Sequence, residues 1–172
     1  MIMRTCVILN PAAGRGWSPE RIRGAMSSIP GAELRVSPTS DSLRTLALEA
    51  VADGFGRIVA AGGDGTVSVL ASALLDSGAD VEVGILPIGT GNDLALSLGL
   101  PTRADFAADL LREGEAAPID AIHAIAPGQP DRELHAWNAV IGGFGGLIAD
   151  RLSPGLKRRW RGLAYIRACL LY

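Results

Sequence analysis

Three short segments of the chain combine glycines with one or two polar side chains. They are Asn10-Pro11 running into Gly14-Arg15-Gly16, then Gly62-Gly63-Asp64-Gly65-Thr66, then Gly89-Thr90-Gly91-Asn92-Asp93. Glycine lets the main chain adopt positive φ and approach a ligand with no Cβ in the way. A glycine turn that enters a helix also presents the first helical amides and the helix dipole to whatever lies in the turn. That combination binds phosphate. Asp64 is the odd element, because a bare carboxylate repels phosphate. It fits if it reaches a Mg²⁺ shared with the phosphates, or accepts hydrogen bonds from a ribose hydroxyl or from loop amides. The plain alternative is a tight turn in which Asp64 bonds only its own backbone. Thr66 reads as the N-cap of the following helix, and Asn92-Asp93 as the cap of the next, a role they would fill with or without a ligand. Arg15 adds one cation to the first loop, set against phosphate or left in solvent.

Composition removes several other chemistries. Lysine and arginine total 16 against 18 acidic residues, so no basic excess points to nucleic acid. Lys157 is the single lysine and stands in a basic run, so no lysine follows a glycine loop as a Walker-type site requires. His123 and His135 have no cysteine near them, which excludes a structural zinc site. Cys6 and Cys169 sit at opposite ends and read as small buried hydrophobes in a reducing, cytoplasmic setting. The longest stretch free of Asp, Glu, Lys and Arg, residues 134–149, is shorter than the ~20 residues that cross a bilayer. The N-terminal apolar run ends at Asn10-Pro11 and reads as a first strand, not a signal peptide.

The elements that must carry the loops follow from periodicity. Apolar strand-like runs at 6–10, 34–37, 57–61 and 81–89 alternate with helical patterns at about 18–29, 43–51 and 66–76. Ser18-Pro19-Glu20 is an N-cap with proline at the first helical position. Two further helices are expected at about 93–98 and 103–113, the second opened by a capping box from Thr102 to Asp105 and closed at Gly114. Strand and helix in this alternation predict an α/β fold: a Rossmann-like, three-layer domain with a largely parallel sheet and right-handed crossovers. In such a sheet ligands bind beyond the carboxyl ends of the strands, so the three loops should meet on one edge. After Pro118 the pattern changes to two β-rich runs, 118–126 and 133–146, joined by the turn-rich 127–132. That is an antiparallel pair beginning a β-rich second lobe. The expected division is 1–118 and 119–172.

The trio Asn-Pro-Ala-Ala-Gly (10–14), Gly-Gly-Asp-Gly-Thr (62–66) and Gly-Thr-Gly-Asn-Asp (89–93) resembles the catalytic domain of diacylglycerol-kinase-type lipid kinases. Sphingosine and ceramide kinases belong to the same superfamily, and NAD kinases and phosphofructokinases more distantly. The segment 86–95, LPIGTGNDLA, resembles the diacylglycerol kinase branch more than NAD kinase. Segments 138–146 and 156–166 look like that branch's entry into its second lobe, so the resemblance covers essentially the whole chain. It implies ATP and Mg²⁺ bound between two lobes and γ-phosphoryl transfer to a lipid hydroxyl. The implied nucleotide contacts are Asn10, Gly62, Gly63, Asp64, Gly65, Thr66, Thr90 and Asn92, with Asp64 on the metal and Asp93 ordering the site. Asp120 matches a family aspartate that opens the second lobe, against a turn or hinge salt bridge as its plain reading.

In these kinases the general base and a metal-associated acidic cluster lie further along the second lobe. The sequence ends at Tyr172, so the resemblance implies a C-terminally truncated kinase with impaired activity and no catalytic base assigned within it. A non-catalytic ATP-binding fragment and an NAD-kinase-like enzyme with a soluble acceptor are the rival readings. A dinucleotide reductase would need G-x-G-x-x-G after the first strand, which NPAAGRG does not supply. The expected partners are ATP, a lipid acceptor such as diacylglycerol, a peripheral contact with the inner face of a membrane and, as an assembly, a homodimer. The run Lys157, Arg158, Arg159 and Arg161 beside Trp160 is either that contact or a solvated helix face. His123 and His135, inside alternating strands, read as satisfied structural histidines.

Overall fold

The computed structural model describes residues 3–13, 17–126 and 129–139. Four strands, β1 (Thr5–Leu9), β2 (Ala32–Val36), β3 (Arg57–Gly62) and β4 (Glu82–Pro87), form one sheet in the order β2-β1-β3-β4, and every pair is parallel. All five residues of β1 are buried, as a central strand covered on both faces must be. The helices supply those covers. Cys6, Ile8, Ile58 and Ala60 pack under α2 (Ser42–Ala52) and α3 (Asp64–Ser77) through Leu43, Ala47, Leu70 and Leu74. Val7, Leu9, Val59 and Leu86 pack on the other face under α1 (Pro19–Met26) and α5 (Ala104–Glu113) through Ile22, Met26, Ala104 and Ala108. The short α4 (Asp93–Ser97) lies between β4 and α5 in the chain. Three layers result, as the periodicity predicts.

Helix boundaries differ from expectation where side chains find other partners. The Ser18 side chain does cap α1, accepting from the Arg21 amide at 3.4 Å, but the helix stops at Met26 rather than near Ile29. There the Ser27 hydroxyl turns back to the Gly24 carbonyl at 2.7 Å. Helix α5 begins at Ala104 with Arg103, not Thr102, at its N-cap. Asp105 is held by the Arg103 guanidinium at 3.2 and 2.6 Å, so it closes no capping box. Beyond α5, β5 (Ile122–Ala126) and β6 (Gln129–Ala136) form the expected antiparallel pair, with β6 starting inside the segment read as turn. His123 and His135 stand opposite each other with stacked rings 4.9 Å apart. Each has a carboxylate: Glu133 at 2.8 Å for His123 and Asp76 of α3 at 3.5 Å for His135. One compact unit extends to Trp137, and residues 138–172 form a second, of which only Asn138 and Ala139 are among the described residues.

Burial makes one chemical consequence testable. Cys6 is fully buried in β1, and loss of solvent pushes its thiol up to about 11, with Arg35 pulling weakly the other way. The thiolate is the reactive form, so Cys6 in the folded chain should resist iodoacetamide at pH 8 and label readily in urea. Peptide mass spectrometry reads Cys6 separately from Cys169. Fast labelling of Cys6 without denaturant would contradict this packing.

Candidate functional site

Strand β1 is flanked by β2 on one side and β3 on the other, so the chain changes direction across the sheet between β1 and β3. In an open parallel sheet that switch point opens a crevice at the carboxyl ends. The segments after β1, β3 and β4 all leave from this edge, and hydrogen bonds join them. The Asn10 amide donates to the Ala61 carbonyl at 3.0 Å, and Asn10 Nδ2 donates to Thr66 Oγ1 at 3.0 Å. The Ile88 and Gly89 amides donate to the Gly62 carbonyl at 3.0 and 3.2 Å. The Leu94 amide donates to Asp64 Oδ1 at 3.1 Å. The three turns meet on one rim.

Helix α3 starts earlier than Thr66. Gly63, with φ −101° and ψ −171°, is its N-cap and Asp64 its first residue. The Thr66 and Val67 amides close onto the Gly63 carbonyl at 2.9 and 3.1 Å. The amides of Asp64 and Gly65 have no such partner and are donors left for an anion. Gly65 is exposed, and a Cβ added there would meet nothing within 4 Å. Thr66, expected as a cap, is 3% exposed and lodges its side chain against Gly62, where a Cβ would come closer than 3.0 Å to Thr66 Oγ1. Its hydroxyl therefore serves Asn10.

The third turn also differs from expectation. Asn92 occupies the N-cap of α4 in the left-handed region, φ 58° and ψ 42°, and its side chain makes no capping bond. It bends back instead, accepting from the Gly89 amide at 3.0 Å and donating to the Pro87 and Gly89 carbonyls at 3.3 and 3.2 Å. The side-chain acceptor for α4 comes from the other loop, through Asp64. Asp64 Oδ2 and Asp93 Oδ1 both approach Gly91, at 3.2 and 3.3 Å from the place a Cβ would take. Two carboxylates and two open helical amides thus share one rim with exposed Thr90. Such a rim can hold a phosphate chain and a hard cation.

A family model for the diacylglycerol kinase catalytic domain matches residues 4–124. The chain belongs to the diacylglycerol kinase catalytic domain family. "Probable lipid kinase YegS-like" of Xanthomonas campestris pv. campestris (strain 8004) is 36% identical over 171 residues, covering 93% of this chain and 52% of the relative. The protein of the same name from Pseudomonas aeruginosa (strain UCBPP-PA14) is 35% identical, covering 89% and 49%. A crystal structure of a diacylglycerol kinase from Bacillus anthracis str. Sterne superposes with TM-score 0.61 at 25% identity, over 69% of this chain and 44% of that one. The chain therefore spans about half the length of the curated relatives it matches.

Within this lipid kinase family member, the other expected site residues fall elsewhere. Asp120 is exposed on the connection between α5 and β5 and makes no hydrogen bond or ion pair among the described residues. Gly14, Arg15 and Gly16 lie outside the described residues, as do Cys169 and the basic run 157–161. An apolar cleft of about 740 Å³ runs along β4 under Leu98, Leu110, Ile119 and Trp137. Asn10, Asp64, Thr90 and Asp93 do not line it, so it is not the phosphate rim. Among the described residues no helix is long and apolar enough to cross a membrane. Sequence reasoning missed the roles of Leu94, whose amide meets Asp64, and of Pro87, whose carbonyl anchors Asn92.

Proposed function

We propose that this chain is the ATP-binding part of a lipid kinase that transfers the γ-phosphoryl group of ATP to a lipid hydroxyl such as that of diacylglycerol. Residues 1–118 supply the nucleotide domain and 119–172 begin the acceptor lobe. The observation that carries the reading is the Asp64–Leu94 bond, which ties the two glycine turns at the switch point of a parallel sheet. Phosphoryl transfer is mostly positioning and charge neutralisation, which is what such a rim provides. The acceptor oxygen forms a bond to the γ-phosphorus, the bond from that phosphorus to the β,γ-bridging oxygen breaks, and ADP leaves. The hydroxyl proton passes to a general base, a role this reading gives to no residue named here. The α3 amides of Asp64 and Gly65 face the phosphates and hold them at the helix N-terminus.

Mg²⁺ is bound by one or two carboxylates together with phosphate oxygens and water, and the Asp64–Asp93 pair at Gly91 matches that donor set. When bound there, the ion would neutralise phosphate charge.

The test offers Mg–ATP with diacylglycerol in mixed micelles, and NAD in a parallel assay, and follows labelled phosphate. The reading expects nucleotide binding and label in the lipid phase, with none on NAD. Binding without any phosphorylated lipid would favour the non-catalytic ATP-binding reading over the kinase. Label on NAD, or failure to bind Mg–ATP, would overturn the proposal.

A further inference from the structure

The structure assigns Asn92 a positioning role: its side chain locks the third glycine turn in the shape that faces the nucleotide, without itself touching phosphate. This inference rests on the nucleotide reading of the rim. Asn92 is the one residue other than glycine with positive φ among the described residues, at φ 58°. Asparagine tolerates this region better than other side chains because its short amide can bond locally. Here it does so fully. A primary amide has two hydrogens to donate, and both are spent, on the Pro87 carbonyl at 3.3 Å and the Gly89 carbonyl at 3.2 Å. The Oδ1 atom accepts the Gly89 amide at 3.0 Å. An anion needs donors, and this side chain has none left to offer.

The lock has a function because of what lies against it. Gly89 abuts Gly63, the N-cap of α3, closely enough that a Cβ on Gly89 would fall 3.0 Å from the Gly63 nitrogen and 2.8 Å from Asn92 Oδ1. The Gly89 amide also reaches the Gly62 carbonyl at 3.2 Å. Asn92 therefore sets the position of Gly89, and Gly89 sets how tightly the third turn seats on the turn that presents the Asp64 and Gly65 amides. Asn92 acts on the ligand through Gly89.

The variant Asn92→Gly separates the possibilities, since glycine keeps the left-handed backbone and deletes only the side chain. Three quantities are read on the full chain. They are hydrogen exchange of the Gly89 amide without nucleotide, the Mg–ATP dissociation constant, and the thermal unfolding midpoint. The positioning role expects Gly89 exchange to rise about tenfold or more and Mg–ATP to bind about tenfold more weakly, in a chain whose midpoint falls by several degrees with the lost hydrogen bonds but which stays folded at the assay temperature. Weaker binding with Gly89 exchange unchanged would mean direct contact with the nucleotide and would overturn the inference. A fallen midpoint with unchanged affinity at low temperature would mean a structural role only, and would also overturn it. A wild-type chain that binds no Mg–ATP would sink the nucleotide reading instead, while the exchange measurement would still decide whether the lock exists.

Discussion

Replacing Asp64 with alanine is expected to weaken Mg–ATP binding by about 10- to 100-fold while leaving the chain folded. The magnitude follows from what the carboxylate does at this rim. Its Oδ1 accepts the Leu94 amide, holding α4 against the N-terminus of α3, and a hydrogen bond to a charged group contributes ~1.5–3 kcal/mol. At about 1.4 kcal/mol per factor of ten, that is the range given. Alanine removes that hydrogen bond, at a cost to the fold of at most ~1.5–3 kcal/mol, against a total stability of ~5–15 kcal/mol for such domains. The fold should survive.

The sign of the effect in the absence of metal is a second check. Without Mg²⁺ a carboxylate repels phosphate, so its removal relieves that repulsion even as the loop loosens. Affinity for metal-free ATP should fall much less than affinity for Mg–ATP. The variant Asp64→Asn divides the two contributions, because its side-chain oxygen still accepts the Leu94 amide while the charge is gone. It should keep the loop tether and lose the magnesium-dependent share of binding. Titration calorimetry with and without magnesium, paired with thermal unfolding, gives all the quantities needed. If Asp64→Ala binds Mg–ATP as wild type does, the site is misplaced.

The parts of this fold that the sequence makes legible are those governed by local pattern. The unbroken apolar run of β1 announces a strand buried on both faces, and the alternation with amphipathic helices implies parallel pairing. Parallel pairing then dictates that the loops after β1, β3 and β4 share an edge, so the rim itself could be placed in advance. The assignment of side chains within the rim could not. Asn10 and Thr66 lie 56 residues apart, and Asp64 and Leu94 lie 30 apart. Such pairings depend on strand register and loop height, which no window of sequence contains.

The corrected helix starts have the same origin. A threonine hydroxyl can accept from the first helical amides and glycine has no such side chain, which makes Thr66 the natural choice. In the fold its hydroxyl is drawn to Asn10 and its side chain fills the space over Gly62, leaving Gly63 to begin the helix. Asn92 likewise stands at a helix start, yet its amide closes the preceding turn while Asp64 supplies the acceptor for α4. At this site each polar group serves a neighbouring loop before its own. Local rules give way where three loops must be held together.

Two glycines at the rim should respond oppositely to the same substitution. At Gly89 an added Cβ would come closer than 3.0 Å to the Gly63 Cα, a main-chain atom that cannot rotate aside. Overpacking of that kind costs ~1–3 kcal/mol and would push the third turn away from α3. Gly89→Ala should therefore lower the unfolding midpoint and abolish measurable nucleotide binding together. At Gly65 the surroundings are open and the residue sits in the first turn of α3, where alanine is favoured over glycine by ~0.5–1 kcal/mol. Gly65→Ala should be as stable as wild type or slightly more so. Its methyl group would nonetheless stand beside the open amides, where a phosphate must approach. Mg–ATP affinity is expected to fall about tenfold or more in a chain that unfolds no earlier. A stabilised Gly65→Ala chain with undiminished affinity would show that the nucleotide does not approach the main chain at this turn.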